Sequence, residues 1–279
     1  MRKRTWIPRI GLALAVGLVV LYSGFPFYWA VVSSLKPSAA LFTPRLELWP
    51  SAWTLEHYRQ VFLQGRFLRN LLNSVVVAGG TTLLGLLIGS LAAYALGRLP
   101  FPPRRAVLYL VLSMNVFPHI AILSGLFVLL RSLHLFNTHL GLILSYLLFV
   151  LPLTVWILTQ YFRALPPELE EAALVDGAGV FQTYWKILLP LAAPGMVSTG
   201  LLGFMAAWNE FLFALTFTVG DRVRTVPVAI ALFGGANPYE IPWGSIMAAS
   251  VVVTVPVVVL VLVFQKRIVE GLTAGTLKG

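Results

Sequence analysis

Six apolar stretches, at about 10–34, 70–97, 106–130, 140–162, 193–219 and 243–265, constrain this chain more than any other feature. Each has the length needed to cross a hydrocarbon layer about 30 Å thick, which takes about 20 apolar residues. The first, second, fourth and sixth contain no Asp, Glu, Lys, Arg or His; the third contains His119 and the fifth Glu210. Only 11% of the chain is charged and 58% is hydrophobic, whereas a soluble domain carries roughly 25% charged residues. The expected fold is an all-α integral membrane protein of six transmembrane helices, because helices satisfy their backbone polar groups internally in lipid. The first run, which follows Arg2-Lys3-Arg4, is too long for a signal-peptide core and is read as a retained helix.

Orientation follows from the basic residues, which concentrate on cytoplasmic loops. With the N-terminus inside, 12 of the 20 Lys and Arg fall on the cytoplasmic side and 8 outside. The tight turn Arg98-Leu-Pro-Phe-Pro-Pro-Arg104-Arg105 gives the strongest local bias. Six crossings then place both termini inside. The net charge of +10 belongs to this bias and not to nucleic-acid binding, for which no soluble module exists. Outside, residues 36–69 are expected to hold a short helix near Leu55–Leu63, and about 220–242 a turn-rich tip.

Several chemistries are excluded. The chain has no cysteine, so disulfides, thiolate metal sites and cysteine nucleophiles are absent. None of its five lysines precedes Ser or Thr, so it lacks the phosphate-binding loop of an ATPase. No catalytic set appears at membrane depth, and no metal site is expected. Proton or sodium coupling usually needs titratable groups within the membrane, and His119 and Glu210 on separate helices are thin material for a relay. Glu210, in Trp208-Asn209-Glu210, reads equally as a pathway or interface residue or as a structural acid bonded to a broken helix or to a partner subunit. Pro118, between Asn115 and His119, removes a backbone donor and is expected to kink the third helix.

One polar interruption stands apart. Pro166-Pro167 can open a helix, and Glu168, Glu170 and Glu171 occupy its first turn, where the helix dipole favours acids. Ala172 and Ala173 are small enough for another surface to approach. Asp176-Gly177 reads as a stop, with Gly in the left-handed conformation. A second helix from about Val180 to Leu189 is expected to end at Pro190. An acidic first arm with an aromatic second arm suits docking into a groove on a soluble partner.

Glu171-Ala172-Ala173, then Gly177, then Ile187 and Leu189-Pro190, resembles the EAA motif of permease subunits of binding-protein-dependent ABC importers. Asn73-Ser74, Trp208-Asn209-Glu210 and the tail from Gly271 through Gly275 to Lys278 are similar to the carbohydrate-uptake branch, in its maltose-type second permease subunit. The resemblance covers residues 10–279 and implies a division into 1–69 (first helix and external segment), 70–268 (five-helix permease core, with coupling helices at about 166–190) and 269–279 (cytoplasmic tail).

The resemblance also implies a mechanism. The helix-turn-helix, through Glu171, Ala172, Ala173, Asp176, Gly177, Ile187, Leu189 and Pro190, would dock on one of two copies of a cytoplasmic ATPase subunit, which hold ATP and Mg; this chain binds no cofactor. A second, homologous permease subunit would complete a heterodimer. Asn115, His119, Trp208, Asn209 and Glu210 are candidates for the pathway or the partner interface. Gly234, Gly235, Asn237, Pro238 and Tyr239 are candidates for contact with the extracytoplasmic binding protein that delivers the sugar. Gly271, Gly275 and Lys278 would meet the ATPases. The chain itself is then no enzyme, and it resides in a bacterial or archaeal cytoplasmic membrane. The alternatives are an ABC permease for a non-sugar solute and an autonomous ion-coupled carrier.

Overall fold

The computed structural model describes the backbone of residues 7–43, 47–63, 66–234 and 241–274, and the side chains among them from 11 to 266. Among the described residues every regular element is helical. In chain order these are α1 (Ile7–Ser34), α2 (Ser38–Leu41), α3 (Glu56–Leu63), α4 (Phe67–Arg98), α5 (Arg104–Ser113), α6 (His119–Ser132), α7 (His139–Ala164), α8 (Glu168–Val175), α9 (Val180–Leu191), α10 (Ala193–Trp208), α11 (Leu212–Phe217), α12 (Val226–Ala231) and α13 (Trp243–Ala274).

Four helices are long and apolar enough to cross a membrane: Gly11–Ser34 within α1, then α4, α7, and Trp243–Lys266 within α13. The pair α9 and α10, bent by 75°, adds a fifth if it forms one span. The third expected segment is not one helix. Pro118 does more than kink it: its backbone is extended at φ −61°, ψ 118°, and a proline pushes the residue before it out of the α region. α5 therefore closes with Asn115 N–H to Leu112 O and Val116 N–H to Ser113 O, and α6 starts afresh at His119. Its 14 residues extend about 21 Å at 1.5 Å per residue, short of the hydrocarbon thickness. The fifth expected segment breaks likewise, between Trp208 and Leu212. At the other extreme α13 runs to Ala274, so the expected tail from residue 269 begins as helix. No Gly or Pro lies between Pro256 and Gly271, and a helical Gly costs only about 1 kcal/mol relative to Ala.

The described residues group into two compact units. One comprises Met1–Phe67 with Ile230–Val255. Here the short helix expected near 55–63 is α3. Buried Lys36 lies over the Trp29 ring at 5.2 Å and donates to Glu47 O at 2.6 Å. His57 Nε2 is 2.9 Å from Lys36 O, Ser34 Oγ meets Tyr58 OH at 2.8 Å, and Ser245 donates to Gln60 Oε1 at 2.9 Å.

The other unit comprises Leu68–Ala229 with Pro256–Gly279. α7 is its centre: half of its best apolar window is buried, against 6% for α1. Lipid tails give helices no hydrophobic reason to associate, so small residues that permit close packing decide which faces meet. Gly85 and Gly89, a GxxxG pair on α4, face Val150 and Thr154 of α7; a Cβ on Gly89 would lie 2.6 Å from Thr154 Cγ2. On α10, Gly195 and Gly200 approach Tyr161 and Leu86 in the same way.

Candidate functional site

The polar interruption between α7 and α10 folds as two short arms. Pro166 and Pro167 end α7 and precede α8, whose first turn carries Glu168, Glu170 and Glu171. The turn after α8 follows from one residue. Gly177 has φ +77°, a left-handed conformation that costs a non-glycine residue about 1–2 kcal/mol. That geometry lets Ala178 N–H reach Ala173 O at 2.8 Å and Gly177 N–H reach Leu174 O at 3.0 Å. The two bonds make a Schellman cap, which satisfies carbonyls that the helix end would otherwise orphan.

The second arm departs from expectation. Pro190 does not end it; α9 continues to Leu191. A proline ring inside an α-helix collides with the carbonyl four residues back, here that of Lys186. Tyr184–Leu188 instead winds as a wide π turn, with Leu189 N–H bonded to Tyr184 O five residues back. The register shift accommodates Pro190, and the sharp bend falls one residue past Leu191.

The second arm is seated from below. Tyr184 and Leu188 are buried with Ala93, Tyr94, Leu158, Phe162 and Ala192, and Ile187 and Leu189 pack against that cluster. Tyr184 OH meets Ser90 Oγ at 2.8 Å, and the Tyr94 ring lies 5.2 Å from that of Tyr184. The first arm is held by a residue that the sequence marked only for its bearing on orientation. Arg98, the last residue of α4, bonds Glu170 Oε2 through Nε at 2.7 Å and Nη2 at 2.6 Å. Its Nη1 also donates to Leu165 O at 3.0 Å. Arg98 and Glu170 are 72 residues apart, so no local pattern announces the pair.

These contacts sort the loop into two faces. Ala173, expected at the approach surface, is buried; its small side chain lets α8 lie close on its own chain. Glu171, Ala172, Asp176 and Pro190 are exposed. So are Val175 at 88%, Phe181 at 67% and Leu174 at 63%. Among the described residues the Glu171 carboxylate has no hydrogen bond or ion pair. The outward face is therefore an apolar ridge beside an unneutralised acid, on a turn fixed from behind.

Residues 85–273, which include the whole of this loop, match the family described as binding-protein-dependent transport system inner membrane component. The chain belongs to this family. Among similar permeases, the trehalose/maltose transport system permease protein MalG of Thermococcus litoralis is 45% identical over 275 residues, 98% of each chain. The trehalose transport system permease protein SugB of Mycobacterium tuberculosis is 43% identical, over 94% of this chain and 95% of that one. In fold, the chain is similar to a bacterial ABC transporter involved in alginate import, with a TM-score of 0.80 at 22% identity, over 95% of this chain and 98% of that one.

The permease's other candidate residues lie outside this loop. The breaks in the third and fifth segments meet around Phe213. His119, at the start of α6, lies 6.0 Å from that ring and 5.6 Å from Phe149. Glu210 caps α11: Oε1 accepts from Phe213 N–H at 2.7 Å and Oε2 from Ala214 N–H at 3.1 Å. Trp208 is buried, Asn209 donates to Met205 O at 2.8 Å, and Asn115 is exposed in the turn before Pro118. Of the candidate loop, Gly234 is exposed, while Gly235, Asn237, Pro238 and Tyr239 lie outside the described residues. Gly271 is within α13; Gly275 and Lys278 also lie outside them.

Asn73-Ser74 does more than open α4. Asn73 Nδ2 donates to Arg222 O at 3.2 Å and Arg224 O at 3.0 Å. Two carbonyl partners fix the amide, so Oδ1 is the atom that faces His139 Nε2 at 2.8 Å. Ser74 Oγ accepts from Val226 N–H at 2.8 Å. Two adjacent residues thus hold the segment 222–226, about 150 residues away, against the start of α7.

Proposed function

We propose that this permease is one of two different membrane subunits of an ABC importer for saccharides. It forms half of the translocation path and draws its energy from ATPase subunits on separate chains. The observation that carries this reading is the outward face of α8 and α9, an apolar ridge with a free acid on a turn capped by Gly177 and latched by Arg98. Such a face suits insertion into a groove of a soluble partner. A rigid attachment behind it lets a push on the loop reach α4, α7 and α10.

The chain crosses the bilayer six times with both termini inside, the third and fifth crossings being interrupted where Pro118 and Asn209 break the helices. Broken helices at membrane depth are tolerated where they line a cavity or are buried in protein, and the meeting of both breaks at Phe213 supports assigning the permease's share of the pathway to this region. The segment around Gly234–Tyr239 is the proposed contact for the extracytoplasmic binding protein. The relatives named for trehalose and maltose make α-glucosyl disaccharides the first solutes to test.

The test is reconstitution of the full assembly in proteoliposomes. Glu171→Ala and Gly177→Pro are expected to leave the heteromer assembled and hydrolysing ATP while disaccharide uptake per ATP falls. Normal uptake in both variants overturns the coupling role of the loop.

A further inference from the structure

We propose that the turn joining α4 to α5 is a binding site for the phosphate headgroup of an anionic phospholipid in the inner leaflet; the leaflet rests on the orientation proposed above. The turn contains three arginines, and the structure separates them. Arg98 is consumed by Glu170 and backbone carbonyls. Arg104 and Arg105 have no side-chain partner among the described residues. They line a shallow groove of about 530 Å³ whose remaining wall is Pro100, Phe101 and Pro102.

The wall of the groove is built before any ligand arrives. Pro100, Pro102 and Pro103 each fix φ, and Phe101 packs against the cluster of Leu96, Leu108 and Val155. Binding therefore orders the two arginine side chains and not the wall beneath them. Guanidinium forks match phosphate oxygens in a two-point geometry that lysine lacks, and basic pockets at the cytoplasmic ends of membrane helices suit lipid headgroups. The next turn of α5 decides between a lipid and a free anion. Tyr109, one turn above Arg105, is 66% exposed and Leu110 beside it 63%, so an apolar surface continues from Arg105 along the helix, where an acyl chain would lie. A soluble phosphate would use only the groove.

The experiment uses the assembled transporter in nanodiscs of phosphatidylcholine with a small fraction of phosphatidylglycerol. Retained lipid is counted by native mass spectrometry. The wild type is expected to retain phosphatidylglycerol in preference to phosphatidylcholine. Each arginine near an anionic surface contributes about fivefold in binding, so Arg104→Gln with Arg105→Gln should weaken retention about 30-fold. Arg104→Lys with Arg105→Lys keeps the charge and should fall between the two, which also serves if the glutamine pair assembles poorly. Arg69→Gln, an exposed arginine at the opposite end of α4, should weaken retention no more than about fivefold, the share of one charge near an anionic surface. Equal retention by the glutamine pair, or displacement of the lipid by millimolar inorganic phosphate, overturns the proposal. Orientation is read separately. The chain has no cysteine, so Ala106→Cys gives a single label, expected to react with an impermeant maleimide only from the cytoplasmic side. Reaction from outside overturns the orientation alone and leaves the lipid count to be judged by itself.

Discussion

Gly177 offers the sharpest perturbation of the coupling loop. Its φ of +77° admits glycine without penalty, and a Cβ added there would meet no atom within 4 Å. Gly177→Ala therefore removes no contact and creates no clash; its cost is the left-handed backbone alone, about 1–2 kcal/mol. If the turn opens locally, the equilibrium between capped and open forms shifts by that amount, a factor of about 5–30. The two amides of the cap, at positions 177 and 178, report it directly in hydrogen exchange of the assembled transporter. Gly177→Asn should lose less, since Asn tolerates this region. Gly177→Pro should abolish the cap, because proline cannot adopt a positive φ and has no N–H for Leu174 O. Uptake per ATP should fall in the order Asn, Ala, Pro. Exchange at positions 177 and 178 that is identical for Gly and Ala would refute the assignment of the turn's stability to backbone conformation.

Three further outcomes follow from specific contacts. Arg98→Ala and Glu170→Ala each break a partly exposed, charge-assisted contact (side-chain exposure 9% and 23%) and should each cost about 1.5–3 kcal/mol. Their double-mutant cycle on thermal melting of the complex should show coupling of about 1 kcal/mol or more; additive losses would deny the latch. Gly89→Val forces a side chain against Thr154 and should destabilise the complex by about 1–3 kcal/mol, whereas Gly79→Val, with nothing within 4 Å of its Cβ, should melt like the wild type. Asn73→Ala removes both bonds to the 222–224 carbonyls, so exchange and protease cleavage at 222–226 should rise while the α8–α9 loop stays unchanged; protection equal to the wild type would deny the fastening.

Periodicity and apolar run length located the membrane helices well, because each of α1, α4, α7 and α13 is continuous. The left-handed Gly177 was equally legible, since a Gly after an acidic-start helix has few other uses. The interrupted segments were harder. In the run 193–219 the sequence offers an acid bonded to a broken helix as one of two readings of Glu210 but does not decide for it, because its partners, the N–H groups of Phe213 and Ala214, are available only after the helix has broken. Pro190 misled for a related reason. Its clash with the preceding turn can be relieved either by ending the helix or by widening it, and burial of Tyr184 and Leu188 at the two ends of the π turn favours widening. The Arg98–Glu170 latch and the Asn73–Ser74 fastening depend on tertiary placement across 72 and about 150 residues, where a single sequence has no signal to offer.

The central claim is that this permease moves solute only through a partner ATPase acting on the α8–α9 loop. Disaccharide uptake into proteoliposomes tests it most directly, comparing the full assembly supplied with ATP and binding protein against the same membrane subunits without ATPase chains under an imposed proton or sodium gradient. The account predicts uptake in the first case and none in the second. Gradient-driven uptake without the ATPase would contradict it.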